Sequence, residues 1–239
     1  MKKVITTSIC IMVLLFTSAF SAEEIYWGGE DLEGLTLKDF RKDTVSDISK
    51  YKGEYHFGES EAESTLKIIV TPAGKIYAQL YWSEYSDKKN KWDLIVENYN
   101  NVKISGNKIT SSGFGMDAEF VIYTKENVRG ILESYTENGK KSYEFGNYVG
   151  ALFMPGKYPE MSIREITKEE LVKKSKEELK IMRNEVYARY GMTFKKGGDM
   201  DKYFSKQDWY YSNVENAEKF LSQLEKDNIK LVLEIEKQK

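Results

Sequence analysis

The residues best equipped for chemistry cluster in one stretch, Ile181–Phe194, which reads IMRNEVYARYGMTF. Arg183, Glu185 and Arg189 bring charge there, and Asn184 and Tyr187 bring hydrogen-bonding groups. Glu185 and Arg189 are four apart, the spacing of a surface ion pair on a helix worth about 0.2–0.5 kcal/mol. Asn184, Tyr187, Ala188 and Gly191 share a face beside the apolar stripe. Small Ala188 on that face allows close approach of the C-terminal helix, which carries Asn228 in its own apolar stripe. A buried asparagine needs a partner, and Arg183, Asn184 or a backbone carbonyl of the motif helix can supply it. The expectation is a buried hydrogen-bond network of Arg183, Asn184, Tyr187 and Asn228 that locks two helices, not a catalytic centre.

Other chemistries find little support. The one histidine, His56, lies on an expected strand far from this stretch. The one cysteine, Cys10, lies in an N-terminal apolar run. No Gly-x-Ser-x-Gly, His-Glu-x-x-His or phosphate-loop pattern is present. Asp199-Met200-Asp201 lacks the further oxygen ligands and distal glutamate of a calcium loop. The expectation is no enzyme, no catalytic residue, no metal and no cofactor, with a carboxylate-only hydrolytic site as the weakest alternative.

The elements that position the motif follow from capping and periodicity. Ser175 with Glu178 forms a capping box, and Leu179, Met182, Val186 and Tyr190 recur at helical spacing. Gly191 then stops the helix in a left-handed conformation. Thr167 with Glu170 is a second capping box. Asp199 reads as the N-cap of a short helix carrying Tyr203 and Phe204. Trp209, Tyr210 and Tyr211 form an aromatic loop, either a recognition surface or a plug for a small core. Leu221, Leu224, Leu231, Val232 and Ile235 mark the final helix.

Arg183-Asn184-Glu185-Val186-Tyr187-Ala188-Arg189-Tyr190-Gly191, then Phe194, Tyr203-Phe204, Trp209-Tyr210, Leu224-Glu225 and Asn228-Ile229, resembles the YARHG domain. The likeness runs from Glu169 to Lys237, and Tyr190 stands where the family motif has histidine. It implies a small extracytoplasmic bacterial module, found alone or appended to peptidase and kinase proteins. It also implies that any acid–base or metal role of that histidine is not available in the same way here.

The rest of the chain divides by composition. Lys2 and Lys3, an apolar run from Ile9 to Phe16, then Ala19 and Ser21 have the form of a signal sequence over residues 1–21. That run is too short to span a membrane, and the residues before Cys10 do not form a lipoprotein signal. Lys+Arg number 36 against 38 Asp+Glu, a net charge of −2. Cleavage would remove two lysines and no acid, so nothing resembles a nucleic-acid binder. Residues 22–50 read as a leader, either irregular or with a short helix through Leu37, Phe40, Val45 and Ile48. Residues 51–153 alternate with a period of two between turn signals such as Thr71-Pro72-Ala73-Gly74, Gly106-Asn107 and Asn138-Gly139. They predict an antiparallel β meander, barrel-like or a sandwich. Its many aromatics suit ordinary strand packing or, alternatively, a cup for a lipid or sugar. Pro155, Gly156 and Pro159 mark a linker over 154–162, and 163–239 is the helical part. The fold class expected is α+β with two domains, an N-terminal antiparallel β meander followed by a small all-α domain.

Taken together, the expectation is an exported, periplasmic or extracellular module that binds a cell-wall, protein or sugar partner of the envelope. No nucleic-acid partner and no stable membrane span after signal cleavage are expected. A lipocalin-like carrier of small ligands through the β domain is the alternative.

Overall fold

The computed structural model describes residues 24–27, 30–31, 35–58, 63–112, 117–137 and 139–239. The expected signal sequence, Cys10, the glycines at 28, 29 and 34, and the Asn138 half of the Asn138-Gly139 turn lie outside them.

Eight strands form an antiparallel meander that closes on itself. They are β4 (Gly53–Phe57), β5 (Ser64–Val70), β6 (Ile76–Ser86), β7 (Lys91–Ser105), β8 (Lys108–Ser112), β9 (Asp117–Tyr123), β10 (Val128–Glu137) and β11 (Lys140–Gly150). Each pairs with the next, and β11 returns to β4 through Asn147↔His56 and Tyr148↔Tyr55. Of the two expected architectures the barrel is the one formed, because this last pairing leaves the meander without a free edge.

Alternation fills the barrel. Tyr55, Leu66, Ile68, Ala78 and Ile131 fall on the interior face and are buried together with Tyr51, Phe57 and Phe120. Tyr51 stacks on Phe120 with ring centroids 3.7 Å apart, and the Tyr55 hydroxyl donates to the Tyr51 carbonyl at 2.8 Å. The register puts three glutamates on the same interior face: Glu97 opposite Leu80, Glu133 two residues from Ile131, and Glu144 opposite Glu133.

The leader forms no α-helix among the described residues. It contributes β1 (Glu24–Trp27) and β2 (Glu30–Asp31), then β3 (Phe40–Lys42) between 3-10 turns at Leu37–Asp39 and Ile48–Tyr51. Strand β1 runs parallel to the first half of β11, and β3 pairs with the end of β9. The apolar residues Leu37 and Phe40 thus serve a wall extension and pack against Val121, Tyr123 and Phe145.

Five α-helices follow: α1 (Glu160–Ile163), α2 (Lys168–Leu171), α3 (Lys176–Arg189), α4 (Asp199–Phe204) and α5 (Gln223–Glu236). Leu179, Met182 and Val186 of α3 meet Ile229, Val232 and Ile235 of α5 in one core. Stretch 154–162, expected as a linker, supplies buried Tyr158, Met161 and Ser162. Tyr158 and Met161 join the helical core, so that core begins inside the stretch. The outer wall of the barrel closes the same core, because Tyr81, Leu94 and Val96 of β6 and β7 pack against it. No described helix is long and apolar enough to cross a membrane.

Candidate functional site

The motif helix is bounded as its sequence implies. The Ser175 hydroxyl accepts from the Glu178 amide at 3.1 Å, and the Glu178 carboxylate accepts from the Ser175 amide at 2.8 Å. At the far end Gly191 has φ 74°. Its amide donates to the Ala188 carbonyl, and that of Met192 donates to Tyr187. A Cβ at this glycine would lie 2.8 Å from the Tyr211 carbonyl oxygen, so both conformation and space require glycine.

Glu185 and Arg189 pair at 2.6 Å, but they are buried and not on the surface as expected: the side chains are 1% and 6% exposed. The reason is the loop before α1, which folds over this face of α3. Glu185 accepts from the amides of Lys157 and Tyr158 at 2.8 and 2.7 Å. Arg189 donates to the carbonyls of Pro155 and Tyr158, each at 2.8 Å, and to the Ser162 hydroxyl at 2.9 Å. Gly156, at φ 108°, permits this approach; a Cβ there would run into the Glu185 carboxyl. Burial draws the Arg189 guanidinium pKa down, while Glu185 and Glu225 oppose the shift. The guanidinium stays charged, and its planar fork matches two carbonyls and a carboxylate at once.

The expected network of Arg183, Asn184, Tyr187 and Asn228 does not form. Arg183 pairs with Glu236 at 2.7 Å and alone of the four bridges α3 to α5. Asn184 donates to Lys180 O of its own helix at 2.7 Å. Tyr187 donates to Glu218 at 3.0 Å. Asn228 instead pins the α1–α2 connection: its amide nitrogen donates to Met161 O and Arg164 O, and its oxygen accepts from the Ile166 amide. The face carrying Ala188 meets α4, where Ala188 packs with Met200 and Phe204, so it does not face α5.

A different polar line runs through the helical unit, and Tyr190 is its centre. The Tyr190 hydroxyl donates to Glu225 at 2.9 Å and lies 3.1 Å from the Tyr81 hydroxyl of the barrel. Gln79 of the barrel donates to it at 3.2 Å and to Phe220 O at 3.1 Å. The rings of Tyr81 and Tyr190 are parallel within 2°. Glu225 belongs to a third capping box with Ser222. Its other oxygen accepts from Ser162 at 2.6 Å, and Ser162 in turn accepts from Arg189. Burial raises the pKa of both phenols, which therefore stay neutral donors. The signal that could have found Glu225 is the Ser222-x-x-Glu225 capping spacing, which is not among the capping boxes expected from the sequence; the partners from the barrel carry no local signal.

Residues 157–237 match the YARHG domain model. The match starts at Lys157 and so takes in Lys157 and Tyr158, the part of the loop whose amides Glu185 holds. No curated protein and no solved structure matches the chain. In this YARHG unit the position of the motif histidine is occupied by the tyrosine that docks the unit on the barrel.

The aromatic loop of the YARHG unit divides. Trp209 and Tyr210 pack edge to face beside Phe204, and the Tyr210 hydroxyl donates to Met192 O at 2.6 Å. Tyr211 is 80% exposed. The short helix α4 begins one residue earlier than expected. Gly198 is its N-cap, and Asp199 pairs with Lys180 at 2.7 Å.

Outside the motif, two places in the barrel gather polar groups. The first is a cavity of about 450 Å³ at the β6–β7 hairpin, lined by Tyr81, Trp82, Trp92 and Leu94 with Glu63, Ser64, Thr65 and Ser83. Trp92 and Tyr85 are exposed on the hairpin and touch edge to face. His56 lies 3.6 Å from Glu63 and 3.3 Å from Thr65. The second is the glutamate trio inside the barrel. Burial, with the charges of Glu144 and Glu97, pushes Glu133 up to about 7. Burial also raises Glu97 and Glu144. Among the described residues no group of His, Cys, Asp and Glu is arranged to hold a metal ion.

Proposed function

We propose that the chain is an exported, non-enzymatic module of the bacterial envelope that binds a glycan, with the YARHG unit as a scaffold fused to a binding barrel. The observation that carries this reading is the cavity at the β6–β7 hairpin. The aromatic side chain of Trp92 shares the outer face of the sheet with Tyr81 and with the small hydroxyls of Thr65 and Ser83, and Glu63 lines the same cavity. A sugar ring presents an apolar face and a rim of hydroxyls, which such a set recognises by stacking and hydrogen bonding. The motif side chains favour a scaffold, since Glu185, Arg189 and Asn228 are spent on backbone groups of the same unit. The side chains packed inside the barrel favour this reading over a lipocalin-like carrier. Tryptophan fluorescence titrated with soluble peptidoglycan fragments tests it. Binding should saturate, and Trp92→Ala should weaken it about tenfold, the equivalent of one stacking contact. Unchanged binding in that variant would remove the cavity from consideration.

A second reading, carboxylate-dependent hydrolysis, is favoured by Glu133 alone. Glu133 and Glu144 are cross-strand neighbours, and a carboxyl pushed up to about 7 suits a general acid with a second carboxylate beside it. Release of reducing ends from the same fragments, abolished by Glu133→Gln, would establish it in place of the non-enzymatic one.

A further inference from the structure

A groove of about 650 Å³ lies where the barrel floor meets the YARHG unit. That volume is within the range of small-molecule sites. Its walls come from both halves: Val70, Pro72 and Tyr148 from the barrel, Leu152 from the connection, and Ile163 from α1. Lys50 and Lys52 stand on its rim, both exposed, with Tyr51 turned inward between them. Neither lysine has an ion pair among the described residues. The acids nearby are already engaged. Asp47, which feels both lysines, has its carboxylate taken up by the amide and hydroxyl of Ser49. Glu165 is held by Thr71 and Lys75, and Glu170 by Arg164 and the Thr167 amide.

We propose that this groove binds a small anionic amphiphile, an alkyl body ending in a carboxylate. The apolar walls shed water on burying the alkyl part. The two unpaired ammonium groups select a negative head. The chain as a whole carries a net charge of −2, so no general positive field would draw an anion to it. The selection is local, and it rests on Lys50 and Lys52. A ligand here touches both halves and adds to their docking, so occupancy raises the melting temperature by mass action.

Calorimetric titration of the full chain with octanoate, octan-1-ol and octylammonium tests the proposal, with thermal melts in parallel. Octanoate should bind, octan-1-ol should bind at least about tenfold more weakly, and octylammonium weakest of all. The exposed double variant Lys50→Glu/Lys52→Glu should fold, lose octanoate binding about tenfold or more, and gain affinity for octylammonium. Lys195→Glu/Lys196→Glu changes the net charge equally and should leave octanoate binding unchanged. Octanoate that fails to bind or to raise the melting temperature overturns the proposal. So does equal binding of all three probes, or an equal loss in both double variants.

Discussion

In the YARHG unit Glu185 and Glu225 are almost closed off from water, and each of their four oxygens has a donor. In the barrel Glu97, Glu133 and Glu144 are only partly covered, share one face, and have no hydrogen bond or ion pair among the described residues. The same side chain therefore does opposite work in the two regions. Where donors converge, a buried carboxylate is a structural joint. Where carboxylates meet only one another, the buried charge is unfavourable and the proton stays on to higher pH. A deeply buried acid is thus not in itself the sign of a reactive one; the partners decide.

The largest effect should come from breaking the joint. Arg189→Ala leaves Glu185 buried and short of one partner, and strips donors from two carbonyls and Ser162. Denaturant unfolding should show a loss of about 3–5 kcal/mol. A loss below about 1 kcal/mol would mean that the YARHG side of the contrast is wrong.

The barrel side answers to pH. Glu133 holds its proton to about 7 when folded, against an ordinary value of 4.5. The folded state therefore binds the extra proton between these values. Its contribution to stability is full below pH 4.5 and is lost as pH rises through 7. Glu133→Gln removes that loss. It should stabilise the chain by on the order of 2 kcal/mol at pH 8 and leave it unchanged at pH 4. Equal effects at the two pH values would contradict the assignment.

The two buried asparagines sharpen the comparison further. Asn228→Ala strands an amide and two carbonyls between α1 and α2 and should cost about 1–3 kcal/mol. Asn184→Ala removes a bond to a carbonyl of its own helix and should cost no more than about 0.5 kcal/mol. Parallel thermal melts of the two variants would show the gap, and equal losses would restore the shared network that the sequence suggested.

Local rules carried most of the secondary structure. Alternation and turn residues marked the barrel strands, and Ser175, Thr167 and Gly191 set helix ends that the structure reproduces. What stayed hidden is long-range. A Glu–Arg pair four apart looks the same on an exposed face and under a loop, and only the chain folded back at Gly156 tells them apart. Tyr190 read as one member of an apolar stripe, and nothing local tied it to Gln79 and Tyr81 more than a hundred residues earlier. Asn228 announced a need for partners without saying which segment would meet it. Leu37 and Phe40 of the leader stand at helical spacing, but the end of β9 beyond its pairing with β8 takes this segment into the wall as β3.

The most direct measurement is a double-mutant cycle on the full chain with Glu185→Gln, Arg189→Met and the pair combined, each unfolded in denaturant. A buried clamp predicts a coupling energy on the order of 2 kcal/mol. A coupling of about 0.3–0.5 kcal/mol, the value of an exposed helical pair, would contradict it and return the motif to the protein surface.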